Sequence, residues 1–279
     1  MRKRQTKPVQ ILMYSLLTLL ALVCIFPFYW MFTLGSQTPD EIYNYPPHLW
    51  FGHGLSANYH SLISALPTFW HNMWNSVYVA IMATITTLFF CSLAGFAFAM
   101  YDFRYKNVLF AFMIATMMIP PLLGIVPYYI LMSMFGWIDK PRALYVPGMA
   151  SAFGIFLMRQ YIASAIPKEL LDAARIDGCT EFRIYWNIIL PLIKPGLATL
   201  GIVTFIGSWN NFLGALVVLH SPEAFTLPVA LRTLQGYNTI RWGAIMLGTA
   251  LSTLPILVVF LIASRRVIHA FAAASGVKQ

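Results

Sequence analysis

The chain has 279 residues, of which 59% are hydrophobic and only 10% charged, with a mean hydropathy of +0.71 and a formal net charge of +9. This composition excludes a soluble globular domain and predicts an all-α, polytopic membrane protein. The basic residues lie in several separate segments instead of one stripe interleaved with aromatic platforms, which argues against nucleic-acid binding.

Apolar runs of about 20 residues or more, long enough to cross a bilayer, occur near 11–34, 72–100, 108–135, 143–163, 189–219 and 243–263, and predict about six spans. The first follows Arg2, Lys3, Arg4 and Lys7. It exceeds the ~7–15-residue core of a signal peptide and has no small-x-small cleavage site, so it reads as an uncleaved span. Gly35–His71 is rich in Pro, Tyr and Asn, and its Tyr43, Tyr45, Trp50, Trp70 and Trp74 suit an interfacial aromatic belt or contact with a partner. The third run contains Pro120-Pro121, which must kink or break a helix by removing amide donors. A bent span and two re-entrant pieces both fit it. The fourth run carries Arg159 in a last turn at or beyond the interface.

Pro167–Pro195 is a charged island between apolar runs. Leu170, Leu171 and Ala174 share one helical face, and Lys168, Glu169, Asp172 and Arg175 supply the other. Gly178 after Asp177 predicts a helix ended by a left-handed residue, and a second helical run starts near Thr180. The first helix is too short and charged to span, and its form suits docking into another protein. Glu169 and Asp172 can pair with basic groups on a partner, and Ala173 and Ala174 permit close approach. Further on, Trp209, Asn210 and Asn211 are the most polar point of the fifth run. They read as helix–helix hydrogen bonding or as lining for a path. Gly95, Ala99, Gly196 and Gly201 are small residues suited to close helix contact. Ser221–Arg241 is a second exposed loop.

With the N-terminus inside, all of the 18 basic residues except Lys140, Arg142, Arg232 and Arg241 fall on the cytoplasmic side. That skew predicts both termini and the 167–191 segment in the cytoplasm, beside anionic membrane lipid. Within the runs only Arg159 and Lys194 are charged, both near predicted ends, which argues against proton coupling. A sodium site made from backbone carbonyls of broken helices stays open. No G-x-x-x-x-G-K-[ST] loop is present, so nucleotide energy would have to come from outside the chain, with the charged segment as the place to attach it. The six histidines form no H-E-x-x-H arrangement and Cys24, Cys91 and Cys179 no metal spacing. No nucleophile–base constellation is present, so the chain reads as a non-enzyme with no metal site.

Several blocks carry a family resemblance. Asp172-Ala173-Ala174, Gly178 and Ile189-Leu190-Pro191 resemble the EAA loop of ATP-binding-cassette importer permeases, with Asp in place of the usual first Glu. Ser36-Gln37-Thr38-Pro39-Asp40-Glu41-Ile42, Leu93-Ala94-Gly95-Phe96-Ala97-Phe98-Ala99, Met118-Ile119-Pro120 and Ser208-Trp209-Asn210-Asn211-Phe212 are similar to the maltose-permease branch of carbohydrate importers. The C-terminal Gly276-Val277-Lys278 resembles that branch's ending, although His269-Ala270 departs from it.

The resemblance implies a type I ABC importer permease fold, one transmembrane domain over 1–279 with a core at about 72–264, a first span at 11–34 and a coupling loop at about 167–188. It implies ATPase coupling through Glu169, Asp172, Ala173, Ala174, Asp177 and Gly178, and a translocation path near Trp209, Asn210 and Asn211. The implied partners are a second homologous permease subunit, cytoplasmic ATP-binding subunits and an extracytoplasmic solute-binding protein, which the Ser221–Arg241 loop would touch. The cargo would be a sugar or oligosaccharide, in a bacterial cytoplasmic (inner) membrane. No cofactor is expected on this chain, since ATP belongs to the partner ATPase. The rivals are an importer of another solute, such as a polyol or glycerol phosphate, and a non-transporting scaffold, which leaves the charged loop without a role.

Overall fold

The computed structural model describes residues 7–235 and 241–274, with side chains for 8–235 and 241–262. The basic residues Arg2, Lys3, Arg4, Arg265, Arg266 and Lys278, His269 and the Gly276–Lys278 ending lie outside the described side chains. In chain order the helices are α1 (Lys7–Ser36), α2 (Pro39–Tyr43), α3 (Leu55–Ala65), α4 (Phe69–Met100), α5 (Lys106–Thr116), α6 (Ile125–Met134), α7 (Arg142–Tyr145) and α8 (Ala152–Ala165). They continue with α9 (Lys168–Ile176), α10 (Glu181–Ile184), α11 (Leu190–Leu192), α12 (Lys194–Trp209), α13 (Phe212–Val218), α14 (Leu227–Thr233) and α15 (Trp242–Ala274). The described residues contain no strand.

Three helical stretches are long and apolar enough to cross a membrane: Pro8–Ser36, Phe69–Met100 and Trp242–Ile262. Two bent pairs bring the number to five when each counts as one span. In the first, Lys106–Thr116 meets Pro121–Met134 at 93°, so Pro120-Pro121 breaks the run instead of merely kinking it. In the second, Glu181–Leu192 meets Lys194–Trp209 at 78° beside Pro195. The 143–163 run is also divided. Its α7 stops before Pro147-Gly148, and α8 restarts where the Ser151 hydroxyl caps Gly154 N–H. At 1.5 Å per residue α8 is about 21 Å long, shorter than a hydrocarbon core of about 30 Å.

The chain forms two compact units, the described parts of Met1–Phe69 with Leu231–Leu254 and of Trp70–Ala230 with Pro255–Gln279. In the first, the Ser36–Ile42 block ends α1 and folds the following loop. Gln37, 1% exposed, donates from Nε2 to the carbonyls of His48 (2.7 Å) and Trp50 (3.0 Å). Ser36 Oγ accepts from Gly52 N–H at 3.0 Å, and Asn58 Nδ2 donates to Gly35 and Gln37 carbonyls at 2.9 and 2.8 Å. Thr38 and Glu41 form a reciprocal capping box that starts α2.

In the second unit, α4, α8 and α12 approach closely at glycines. A Cβ on Gly95 would lie 2.7 Å from Met158 Cβ, one on Gly154 2.7 Å from Cys91 Sγ, and one on Gly196 2.8 Å from the Tyr161 ring. Phe96, Met158, Ile162, Ile184, Tyr185 and Ile189 fill the core beside them. A separate cluster of Met132, Ala143, Ala215, Val218 and Val229 packs under the Asp139 turn. The Asp139 carboxylate accepts from the His220 and Ser221 amides and the Ser221 hydroxyl, and Asn72 and Asn75 on α4 donate to the carbonyls of Pro222, Glu223 and Phe225. The Ser221 end of the second exposed loop is thereby pinned, and its residues 236–240 lie outside the described ones.

Candidate functional site

The 167–188 segment forms two short helices joined by a tight turn. Pro167 precedes α9, Glu169 stands in its first turn and Arg175 in its last, so both charges complement the helix dipole. Gly178 has φ +78°, the left-handed conformation its position after Asp177 predicts. The Cys179 and Gly178 amides return to the carbonyls of Ala174 and Arg175 and close the helix. Thr180 Oγ accepts from Arg183 N–H and opens α10.

The two faces of α9 differ. Leu171 and Ala174, 2% and 5% exposed, join the apolar core with Phe96, Ile166 and Ile184. Ala174 therefore faces inward, three residues from Leu171 on the same stripe, and does not present itself to a partner as the sequence reading supposed. Glu169, Asp172, Ala173, Ile176, Asp177 and Gly178 are exposed. Asp172 is engaged within the chain by Arg175 Nη1 at 3.1 Å, so Glu169 is the more available carboxylate. Ile176 is 87% and Phe182 64% exposed. Covering Ile176 would be worth about 1.5–3 kcal/mol.

A polar cluster ties this segment to the linker between α4 and α5. Glu181 accepts from the Tyr101 hydroxyl and from Arg175 Nε, the latter at 2.8 Å. The Arg175 guanidinium also lies 5.7 Å from the Tyr101 ring centroid. Asp102 pairs with Lys106 at 3.1 Å and Lys168 at 3.6 Å. Arg175 and then Tyr101 hold the Glu181 carboxyl below its usual range, and the Lys106 hydrogen bond does the same for Asp102. Burial, followed by Glu181, pushes the Tyr101 hydroxyl up to about 12. Sequence reasoning missed Tyr101, Glu181 and Ile176. Tyr101 and Glu181 stand 80 positions apart, beyond any local periodicity.

The second predicted location is a break in the fifth run. Trp209 is 4% exposed and stacks on Phe205 with centroids 5.9 Å apart. Asn210 ends α12 with an exposed side chain, while Asn211 Oδ1 accepts from Gly214 N–H at 3.1 Å and caps α13. One amide of the pair is thus committed locally and the other is free to face outward. Among the described residues no group of three His, Cys, Asp or Glu side chains could hold a metal ion.

Three long apolar helices, two bent pairs and a short charged amphipathic helix define a polytopic membrane protein. A family model described as "binding-protein-dependent transport system inner membrane component" matches residues 91–271. The chain belongs to this family. It is similar to the arabinooligosaccharide permease AraQ of Halalkalibacterium halodurans, 33% identical over 266 residues, covering 94% of this chain and 95% of AraQ. It is 34% identical to the lactose permease LacG of Rhizobium radiobacter over 261 residues, 93% of each chain. With the glycerol-3-phosphate permease UgpE of Escherichia coli it shares 30% over 259 residues, 90% of this chain and 92% of UgpE. A chain of a bacterial ABC transporter that imports alginate superposes with a TM-score of 0.80 at 23% identity, covering 95% of this chain and 98% of that one. That likeness establishes the ABC importer permease fold.

Proposed function

We propose that this chain translocates a sugar or oligosaccharide delivered by a solute-binding protein, and that its 167–188 segment docks a cytoplasmic ATPase. The observation that carries the docking role is the two-faced α9, whose Leu171 and Ala174 are buried while Ile176 projects beside Glu169 and Ala173. An exposed apolar side chain on a charged, well-ended helix is what a partner groove would cover. The family implies a binding protein and an ATPase as partners. In this reading a second, homologous permease subunit completes the path, both termini are cytoplasmic, and Asn210 with its neighbours Trp209 and Asn211 borders that path. ATP is used by the partner and no cofactor is held here.

AraQ and LacG are named for sugars, which supports the cargo class. UgpE, named for a phosphorylated polyol, supports glycerol phosphate as the second reading. Co-purification of the detergent-extracted chain with its ATPase tests the docking role. Calorimetric titration of the binding protein with arabinotriose, lactose and glycerol 3-phosphate separates the cargoes. A binding protein that takes only glycerol 3-phosphate would overturn the sugar reading.

A further inference from the structure

Resting on the docking role of α9, we infer that Tyr101, Glu181 and Arg175 form a clamp that makes the long helix α4 move with the docking helix. The apolar contact of Leu171 and Ala174 holds α9 against the core, but hydrophobic contact is non-directional and lets a helix slide or roll. Fixing its orientation requires bonds with angular preference. Glu181 supplies two, one to the Tyr101 hydroxyl and one to Arg175 Nε at 2.8 Å.

Tyr101 follows directly on the last residue of α4 and is held from three sides. Its ring meets Phe96, 3% exposed, edge-on at 5.3 Å, and its carbonyl accepts from Lys106 Nζ at 2.6 Å. Its hydroxyl reaches Glu181. Phe96 in turn lies 5.7 Å from Tyr185, whose hydroxyl is 2.7 Å from Ser92 Oγ on α4. A displacement of α9–α10 therefore reaches α4 through a connected set of packed and hydrogen-bonded groups. The nearby Lys168–Asp102 pair is a poor alternative. It is 3.6 Å long between side chains 62% and 82% exposed, and such pairs contribute little. Tyr101 is accordingly a positioning residue for transport.

The test is hydrogen exchange on the complete importer, permease with ATPase subunits, with and without trapping by ATP and vanadate. In the parental complex, trapping should alter exchange both in 168–176 and in 97–105. In Tyr101→Phe, which removes only the hydroxyl, the response of 168–176 should remain while that of 97–105 falls about fivefold. Glu181→Gln keeps an acceptor for Tyr101 and should retain at least half of it. An undiminished response of 97–105 in Tyr101→Phe would overturn the clamp and leave docking intact. Altered exchange over 168–176 in that variant before nucleotide is added would reduce Tyr101 to a local structural prop, which also overturns the clamp. If 168–176 does not respond even in the parental complex, the docking reading fails and the clamp with it.

Discussion

Two non-spanning segments, 36–54 and 167–188, are fixed by opposite means. The first is locked by buried groups: Gln37 at 1% exposure serves two loop carbonyls, and Asn58 at 7% serves two more. Leaving such groups unpaired costs about 1–3 kcal/mol each, so the loop has one geometry. The second rests one apolar stripe on the core and keeps its charges and Ile176 at the surface. A buried amide network suits a static support, whereas an exposed apolar tip beside unburied charges suits a surface that engages and releases a partner.

The largest effect should come from the exposed tip. Ile176→Asp removes about 1.5–3 kcal/mol of burial and adds a charge to desolvate, so the ATPase recovered with the permease should drop more than about tenfold while membrane insertion persists. Equal recovery would make the two segments alike and break the contrast.

The two turn glycines sharpen it. A Cβ on Gly54 would lie 2.7–2.8 Å from backbone atoms of Gln37 and Thr38, although Gly54 has an ordinary φ of −84°. Gly54→Ala should therefore cost about 1–3 kcal/mol through overpacking, read as a lower melting temperature of the purified permease. Gly178 is the reverse, with nothing within 4 Å of an added Cβ but a φ of +78°. Gly178→Leu should cost about 1–2 kcal/mol of backbone strain and misdirect α9, lowering ATP hydrolysis stimulated by the binding protein with little change in melting temperature. A melting shift as large as that of Gly54→Ala would mean that the turn supports the fold as a whole.

How much of this was legible in the sequence follows from the range of each interaction. The alternation of charge and apolar residues in Lys168–Ile176 and the left-handed Gly178 are local, and the residues themselves announce them; Pro120-Pro121 announces an interruption, but the 93° bend that makes it a break is visible only in the fold. The inward turn of Ala174 was also implicit, since it shares a stripe with Leu171. The division of 143–163 and the cap that Asn211 provides to α13 were hidden by the overall hydrophobicity of their runs. The Gln37 network and the Tyr101–Glu181 contact depend on chain returns of 11 to 80 positions, and only the fold brings those partners together.

The smallest effect concerns pH. Glu181 is held below its usual range, so its contribution is complete above the ordinary carboxylate pKa and fades only in stronger acid. Tyr101 is pushed up to about 12, so its contribution is complete below the ordinary tyrosine value and fades only as pH rises through about 12. Between about pH 6 and pH 9, neither group should change its proton. The nucleotide-induced exchange response of 97–105 should be constant over that interval, and a titration within it would show that another group controls the link.

The central claim, that 167–188 engages the ATPase and 36–54 does not, is tested most directly by site-specific photo-cross-linking. A photoreactive phenylalanine analogue placed at Ile176 or at the exposed Trp50 of the assembled importer reports what each side chain touches. An ATPase adduct is expected from position 176 and none from position 50. No ATPase adduct from position 176, with the complex intact, would contradict it.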